Sequence, residues 1–137
     1  MYESHKELLS KEQFGKIEEE IMGRNFPWFY NDAIVYDGDG KSQFVHMMYY
    51  EGRTESIVEN SMHIDLMNKS YLNTNPFKTA IFYLNNNNGY TKFETGEKVT
   101  TEKNKLIVFD GNKSHTGTSN SCEAKRRVIL NINYLPF

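Results

Sequence analysis

The stretch KTAIFYLNNNNGYTKFETGEKVTTEKNKLIVFD, residues 78–110, decides the fold class. It opens on a β-branched and aromatic run and closes on LIVF, residues 106–109. Short apolar runs bounded by turn residues read as buried strands. Between them, Asn88-Gly89 predicts a tight turn at positive φ, and Gly96 predicts a second turn. Short strands at regular spacing point to a β sandwich or a jelly-roll barrel.

The flanks extend this pattern. On the C-terminal side, GNKSHTGTS reads as a loop or strand edge, and KRRVILNINYL as a long closing strand. On the N-terminal side, FPWFYNDAIVY and QFVHMMYY, residues 26–36 and 43–50, read as strands around the turn-rich DGDGK. Residues 10–22, SKEQFGKIEEEIM, predict the one helix. Ser10 and Gln13 have capping-box spacing, Phe14, Ile17, Ile21 and Met22 share a face, and Gly23 is placed to end it. The expected architecture is a single, mainly β (α+β) domain over residues 1–137, with residues 1–25 as its helical N-terminus.

Composition narrows the function. At 137 residues and 38% hydrophobic, the chain suits one domain, and nine Phe and nine Tyr can supply its core. A net charge of −2, with only the short basic runs KNK and KRR, gives no footprint for nucleic acid. One cysteine, Cys122, permits no internal disulfide and fits a reducing compartment. No run is apolar enough for a signal core or a membrane span. The expectation is a cytoplasmic protein, with no nucleic-acid or membrane partner.

One motif carries chemistry. In SMHIDLM, residues 61–67, His63 and Asp65 stand two apart and so share a strand face. Two histidines and a carboxylate form the facial triad that leaves open positions on iron(II). The triad needs one more histidine. His5 lies in a polar, solvent-exposed segment, and His46 in FVHMM reads as a hydrogen-bonded sheet histidine. His115, just after LIVF, is the third candidate. Arg127 opens the closing strand 12 positions later, where a guanidinium can bind a ligand carboxylate bidentately. Arg126 and Arg127 must face opposite sides. Arg127 shares its face with Ile129, Asn131 and Asn133, and parity leaves open which face is inside.

KTAIFYLNNNNGYTKFETGEKV, NKLIVFDGNKSHTGTS and RRVILNINY together resemble the 2-oxoglutarate/Fe(II)-dependent dioxygenases of the prolyl 4-hydroxylase-like branch, as found in small viral, phage and marine-microbial proteins. FPWFYND and QFVHMMY resemble the N-terminal part of that group, and IVENSMHIDL its metal-binding segment. The resemblance implies a double-stranded β-helix, a distorted jelly roll. It implies His63, Asp65 and His115 as iron ligands. Arg127 and Tyr83 would bind the distal carboxylate of 2-oxoglutarate, with Thr118 a further candidate. The implied reaction hydroxylates a C–H bond, of a prolyl residue in a peptide or protein or of a small molecule. It uses O₂ with ascorbate as a supporting reductant, and releases succinate and CO₂. A virus- or phage-infected cell would be its setting.

The sequence departs from the family at one place. Relatives carry a helix and another strand where only EGRTESIVENSM, residues 51–62, stands here. The jelly roll would then be short by one strand. That leaves two other expectations: a degenerate, cupin-like protein that binds a metal or small acid without turnover, or a homodimer that covers the open edge.

Overall fold

A computed structural model of the chain describes residues 1–32, 40, 42–46, 49–50, 53–54, 76–118, 120–121, 123 and 126–136. The chain divides into two compact units. One comprises Met1–Ile21 with Asn75–Phe137, and the other Met22–Thr74. Among the described residues the protein is mainly β with one helix. No helix among them is long and apolar enough to cross a membrane.

The first unit begins with strand β1 (Glu3–His5) and helix α1 (Lys11–Met22). The capping box forms as its spacing predicts. Gln13 N–H donates to Ser10 Oγ at 3.2 Å, and Ser10 N–H donates to Gln13 Oε1 at 3.1 Å. Phe14 and Ile21 of the apolar stripe are buried, and Phe14 meets Phe82 edge-on at 6.0 Å.

The six remaining strands of this unit are β6 (Lys78–Tyr83), β7 (Tyr90–Phe93), β8 (Lys98–Thr100), β9 (Lys105–Asp110), β10 (His115–Gly117) and β11 (Ile129–Tyr134). They form an antiparallel four-stranded sheet, β1-β9-β6-β11, and an antiparallel three-stranded sheet, β10-β7-β8. The pairing is nested. β7 pairs with β8 inside the β6·β9 pair, and then β10 returns to β7 while β11 returns to β6. The two sheets share one core of Ile81, Tyr83, Phe93, Val99, Ile107 and Phe109. Phe93 meets Phe109 edge-on at 5.0 Å and stacks on Tyr2 at 5.6 Å. Aromatic pairs of this kind add about 0.5–1.5 kcal/mol each beyond the area they bury. β6 is buried on both faces, which is why KTAIFY shows no alternation.

The other unit holds two ribbons, β2 (Phe29–Asn31) with β3 (Gln43–Val45) and β4 (Tyr49–Tyr50) with β5 (Arg53–Thr54). Among the described residues, 26–28, 32 and 46 lie outside these strands; residues 33–36 and 47–48 of the expected strands are outside the described residues. His46 follows β3, bonds Pro27 C=O through Nδ1 at 2.8 Å and packs against Phe26 at 4.5 Å. It behaves as the hydrogen-bonded sheet histidine expected of it.

One local expectation needs correction. Asn88-Gly89 does not make a hairpin turn: neither residue has positive φ, and β6 and β7 lie in different sheets. The chain must cross between layers there, which a two-residue hairpin cannot do. Gly96, at φ 89°, does turn the β7–β8 hairpin. The polar start ESH is exposed, as expected, and it also forms β1 against β9. A strand that pairs through its main chain with an edge needs no apolar side chains.

Candidate functional site

Arg127 lies just before β11, and the side of the sheet it enters is now fixed. Tyr83 stands opposite Ile129, and Ile81 opposite Asn131. Directly opposed residues share a face, and Tyr83 and Ile81 belong to the core. The face of Arg127, Ile129, Asn131 and Asn133 is therefore the inner one, and Arg126 is exposed.

Inside, the guanidinium is held by hydroxyls of Thr91 in β7 and of Thr101, just after β8. Arg127 Nε donates to Thr101 Oγ1 at 3.1 Å, and Nη2 donates to Thr91 Oγ1 at 3.0 Å. Thr91 Oγ1 also bonds the Tyr83 hydroxyl at 2.8 Å. The Arg127 Cζ lies 5.6 Å from the centroid of the Tyr83 ring, within range of a cation–π contact. Burial pushes the Tyr83 hydroxyl pKa up, against the opposing pull of Thr91 and Arg127. Burial likewise lowers that of Arg127, but a guanidinium stays charged all the same.

Among the described residues no carboxylate pairs with Arg127. Its partners among the described residues are the Thr91 and Thr101 hydroxyls and the Tyr83 ring, and neither of the two hydrogen bonds uses Nη1. A half-buried cation without a counter-charge is costly unless something anionic can reach it.

The stem of Arg127 is placed by the asparagine run, which sequence reading treated as turn material. Asn85 Nδ2 donates to Arg126 C=O at 2.7 Å, and Val128 N–H donates to Asn85 Oδ1 at 3.0 Å. One side-chain amide thus clasps the peptide groups on both sides of Arg127. Asn86 Oδ1 accepts from Lys103 N–H at 2.8 Å, and Asn88 bonds Ser121 through both ends of its amide at 2.9 Å. Gly89 is buried against the stem: a Cβ there would lie 2.8 Å from Arg127 Cδ. The run NNNNG is therefore the scaffold of the site, and its contacts span too much chain to be read locally.

His115 opens β10 directly opposite Phe93 of the core, so it stands on the core side of the strand, though exposed to solvent. Its ring lies 4.8 Å from that of Phe109. Nδ1 is 2.9 Å from Lys113 C=O. A carbonyl can only accept, so Nδ1 donates; in the neutral ring this leaves the lone pair on Nε2, the tautomer that a metal ligand needs. His115 stands two residues along β10 from Gly117, which faces Thr91 and the guanidinium. That separation is roughly 6–7 Å.

His63 and Asp65 lie outside the described residues, as does most of EGRTESIVENSM. Among the described residues no three His, Cys, Asp or Glu side chains gather as a metal site. Tyr83 reaches the site through Thr91. The Thr118 hydroxyl is committed elsewhere: it accepts from Tyr90 N–H at 2.9 Å and donates to Tyr90 C=O at 3.3 Å. Thr91, Thr101 and Asn85 went unread, since a threonine in a strand signals only β propensity. A surface cleft of about 220 Å³ beside the β7–β8 turn takes in Phe93 and Ser114, neighbours of His115, and does not reach Arg127.

Comparison with protein-family models, with curated proteins and with solved structures gives no match.

Proposed function

We propose that this protein is an Fe(II)- and 2-oxoglutarate-dependent dioxygenase that hydroxylates a C–H bond, a prolyl residue in a peptide or protein being the first substrate to try. The observation that carries the reading is the half-buried Arg127 guanidinium, held by Thr91 and Thr101 with no carboxylate beside it among the described residues. The nested pairing of β6 to β11 follows the winding of a jelly roll and supports a double-stranded β-helix.

Two of the residues this function requires, His115 and Arg127, lie among the described ones and have chemistry that supports it. The exposed His115, with Nδ1 against Lys113 C=O, offers Nε2 to a metal. His63 and Asp65 would complete a facial triad. Arg127 would hold the far carboxylate of 2-oxoglutarate. When bound, iron and 2-oxoglutarate would supply O₂ activation, giving hydroxylated product, succinate and CO₂ from substrate, 2-oxoglutarate and O₂. The chain itself does the positioning. Asn85 fixes the Arg127 backbone, and the two threonine hydroxyls take two edges of its fork. Phe93, Phe109 and Tyr83 line the inner face.

A second reading rests on the completeness of the Arg127 cradle among the described residues, whatever the triad does. A cupin-like protein that holds a small acid without turnover would need that cradle alone.

The test is an anaerobic titration of apo protein with Fe(II) and then 2-oxoglutarate, read by the weak visible charge-transfer band of the chelate. The dioxygenase predicts a band that His115→Ala and Arg127→Ala both abolish. Binding of 2-oxoglutarate without a band selects the acid-binding reading. If neither ligand binds, both readings fail.

A further inference from the structure

Asn88-Gly89 is the one Asn-Gly pair of the sequence, and the fold does not use it as a hairpin turn. The pair is chemically labile, because a glycine nitrogen with no side chain beside it can close on the asparagine Cγ. The nitrogen loses its proton to hydroxide and bonds Cγ. The Cγ–Nδ2 bond breaks, and Nδ2 leaves as ammonia with a proton from water. The cyclic succinimide then takes up water at either carbonyl. One opening gives aspartate. The other gives isoaspartate, in which the main chain runs through the side chain and is longer by a methylene.

Both reactants are held in this structure. Gly89 N–H donates to Asn87 Oδ1 at 2.9 Å. Asn88 is exposed, but Ser121 grips its carboxamide at both ends: Nδ2 donates to Ser121 Oγ, and Oδ1 accepts from Ser121 N–H, each at 2.9 Å. A carboxamide tied at both ends is not free to turn toward the Gly89 nitrogen, so the reaction proceeds from a locally opened state. Its consequence follows from where Gly89 stands. Gly89 is buried, and its carbonyl accepts at 3.1 Å from the N–H of Thr101, the residue whose hydroxyl holds Arg127 Nε. An added Cβ on Gly89 would lie 2.8 Å from Arg127 Cδ and 3.1 Å from Thr118 C=O. Extra main chain at position 88 therefore displaces Gly89 against the stem of Arg127.

We propose that Asn88 is a modification site latched shut by Ser121: when the latch opens, the Asn88-Gly89 pair converts to isoaspartate, and the lengthened main chain unseats Arg127. Reading that effect through ligand binding rests on the assignment of Arg127 as a carboxylate site. The device is a one-way loss of binding in molecules that have spent time open.

The test holds the full chain at mildly alkaline pH in native buffer and in urea, and follows conversion at position 88 by peptide mass spectrometry. Conversion at least about tenfold slower in native buffer is expected, the factor that a latch of two hydrogen bonds provides. Ser121→Ala removes one of the two bonds and should raise the native rate several-fold with an unchanged unfolding midpoint. Equal rates in the two buffers, or a wild-type rate in Ser121→Ala, overturns the latch. 2-Oxoglutarate is then titrated by calorimetry into refolded protein, in unmodified and deamidated forms separated by ion exchange. An affinity loss of at least about tenfold in the deamidated form is expected. Equal affinity in the two forms overturns the inference and leaves the carboxylate reading standing. If neither form binds, the carboxylate reading fails and the link to ligand binding with it, while the latch stands or falls on the conversion rates.

Discussion

Asn85 clasps the main chain on both sides of Arg127. It donates to the carbonyl of the preceding residue and accepts from the amide of the following one. Both bonds cross more than forty positions of sequence, 41 and 43. They aim a charged side chain without touching it. Asn85→Ala should therefore weaken 2-oxoglutarate binding more than it weakens the fold. A lost hydrogen bond costs about 0.5–1.5 kcal/mol, so an affinity loss near tenfold with a small fall in melting temperature is expected. An unchanged dissociation constant would return Asn85 to a purely structural role.

Arg127→Ala should abolish 2-oxoglutarate binding while sparing Fe(II) affinity. Arg127→Lys restores the charge but lacks the planar fork that spans Thr91 and Thr101. It should recover only part of the affinity. Full recovery by lysine, measured by calorimetry, would show that charge alone suffices.

Tyr83→Phe removes the hydroxyl that bonds Thr91, in a side chain with 0% exposure. The buried Thr91 hydroxyl keeps Arg127 as its partner, so the fold should lose about 1–3 kcal/mol at most. Affinity for 2-oxoglutarate should fall modestly, because Thr91 orients Nη2. Chemical denaturation and calorimetry on the same variant separate the two effects. A stability loss with no affinity change would confine Tyr83 to the core.

Stability should have an acid limb set by Glu102. Lys105 first, and then Lys6, hold its carboxyl pKa down from 4.5 to about 2. A carboxylate depressed in the fold contributes fully above its unfolded value and loses that contribution as pH falls through the folded one. The loss thus falls between 4.5 and about 2. Glu102→Gln should flatten that limb in urea midpoints taken across this window. An identical acid limb in wild type and variant would show that other carboxylates carry it.

The legible parts are those written in local chemistry. Ser10 and Gln13 mark a helix start because both bonds lie within one turn. KTAIFY reads as a buried strand because burial of both faces leaves a continuous apolar run, and LIVF reads likewise because one face is buried and the other half-buried. Arg127 stood out because a charge opens an apolar strand, and His115 because it follows one. Tertiary structure decided the rest. Parity gave Arg126 and Arg127 opposite faces, but only the register of β11 on β6 put Arg127 inside. Thr91 and Thr101 became partners of Arg127, and Asn85 its clasp, through contacts 26 to 43 positions apart. Gly89 looked like a turn glycine and proved to be a close-approach glycine, because the chain changes sheets where a hairpin was expected. Sequence alone fixes which residues can be buried or charged. Which of them share a pocket depends on strand order and register, which arise only when distant segments pair.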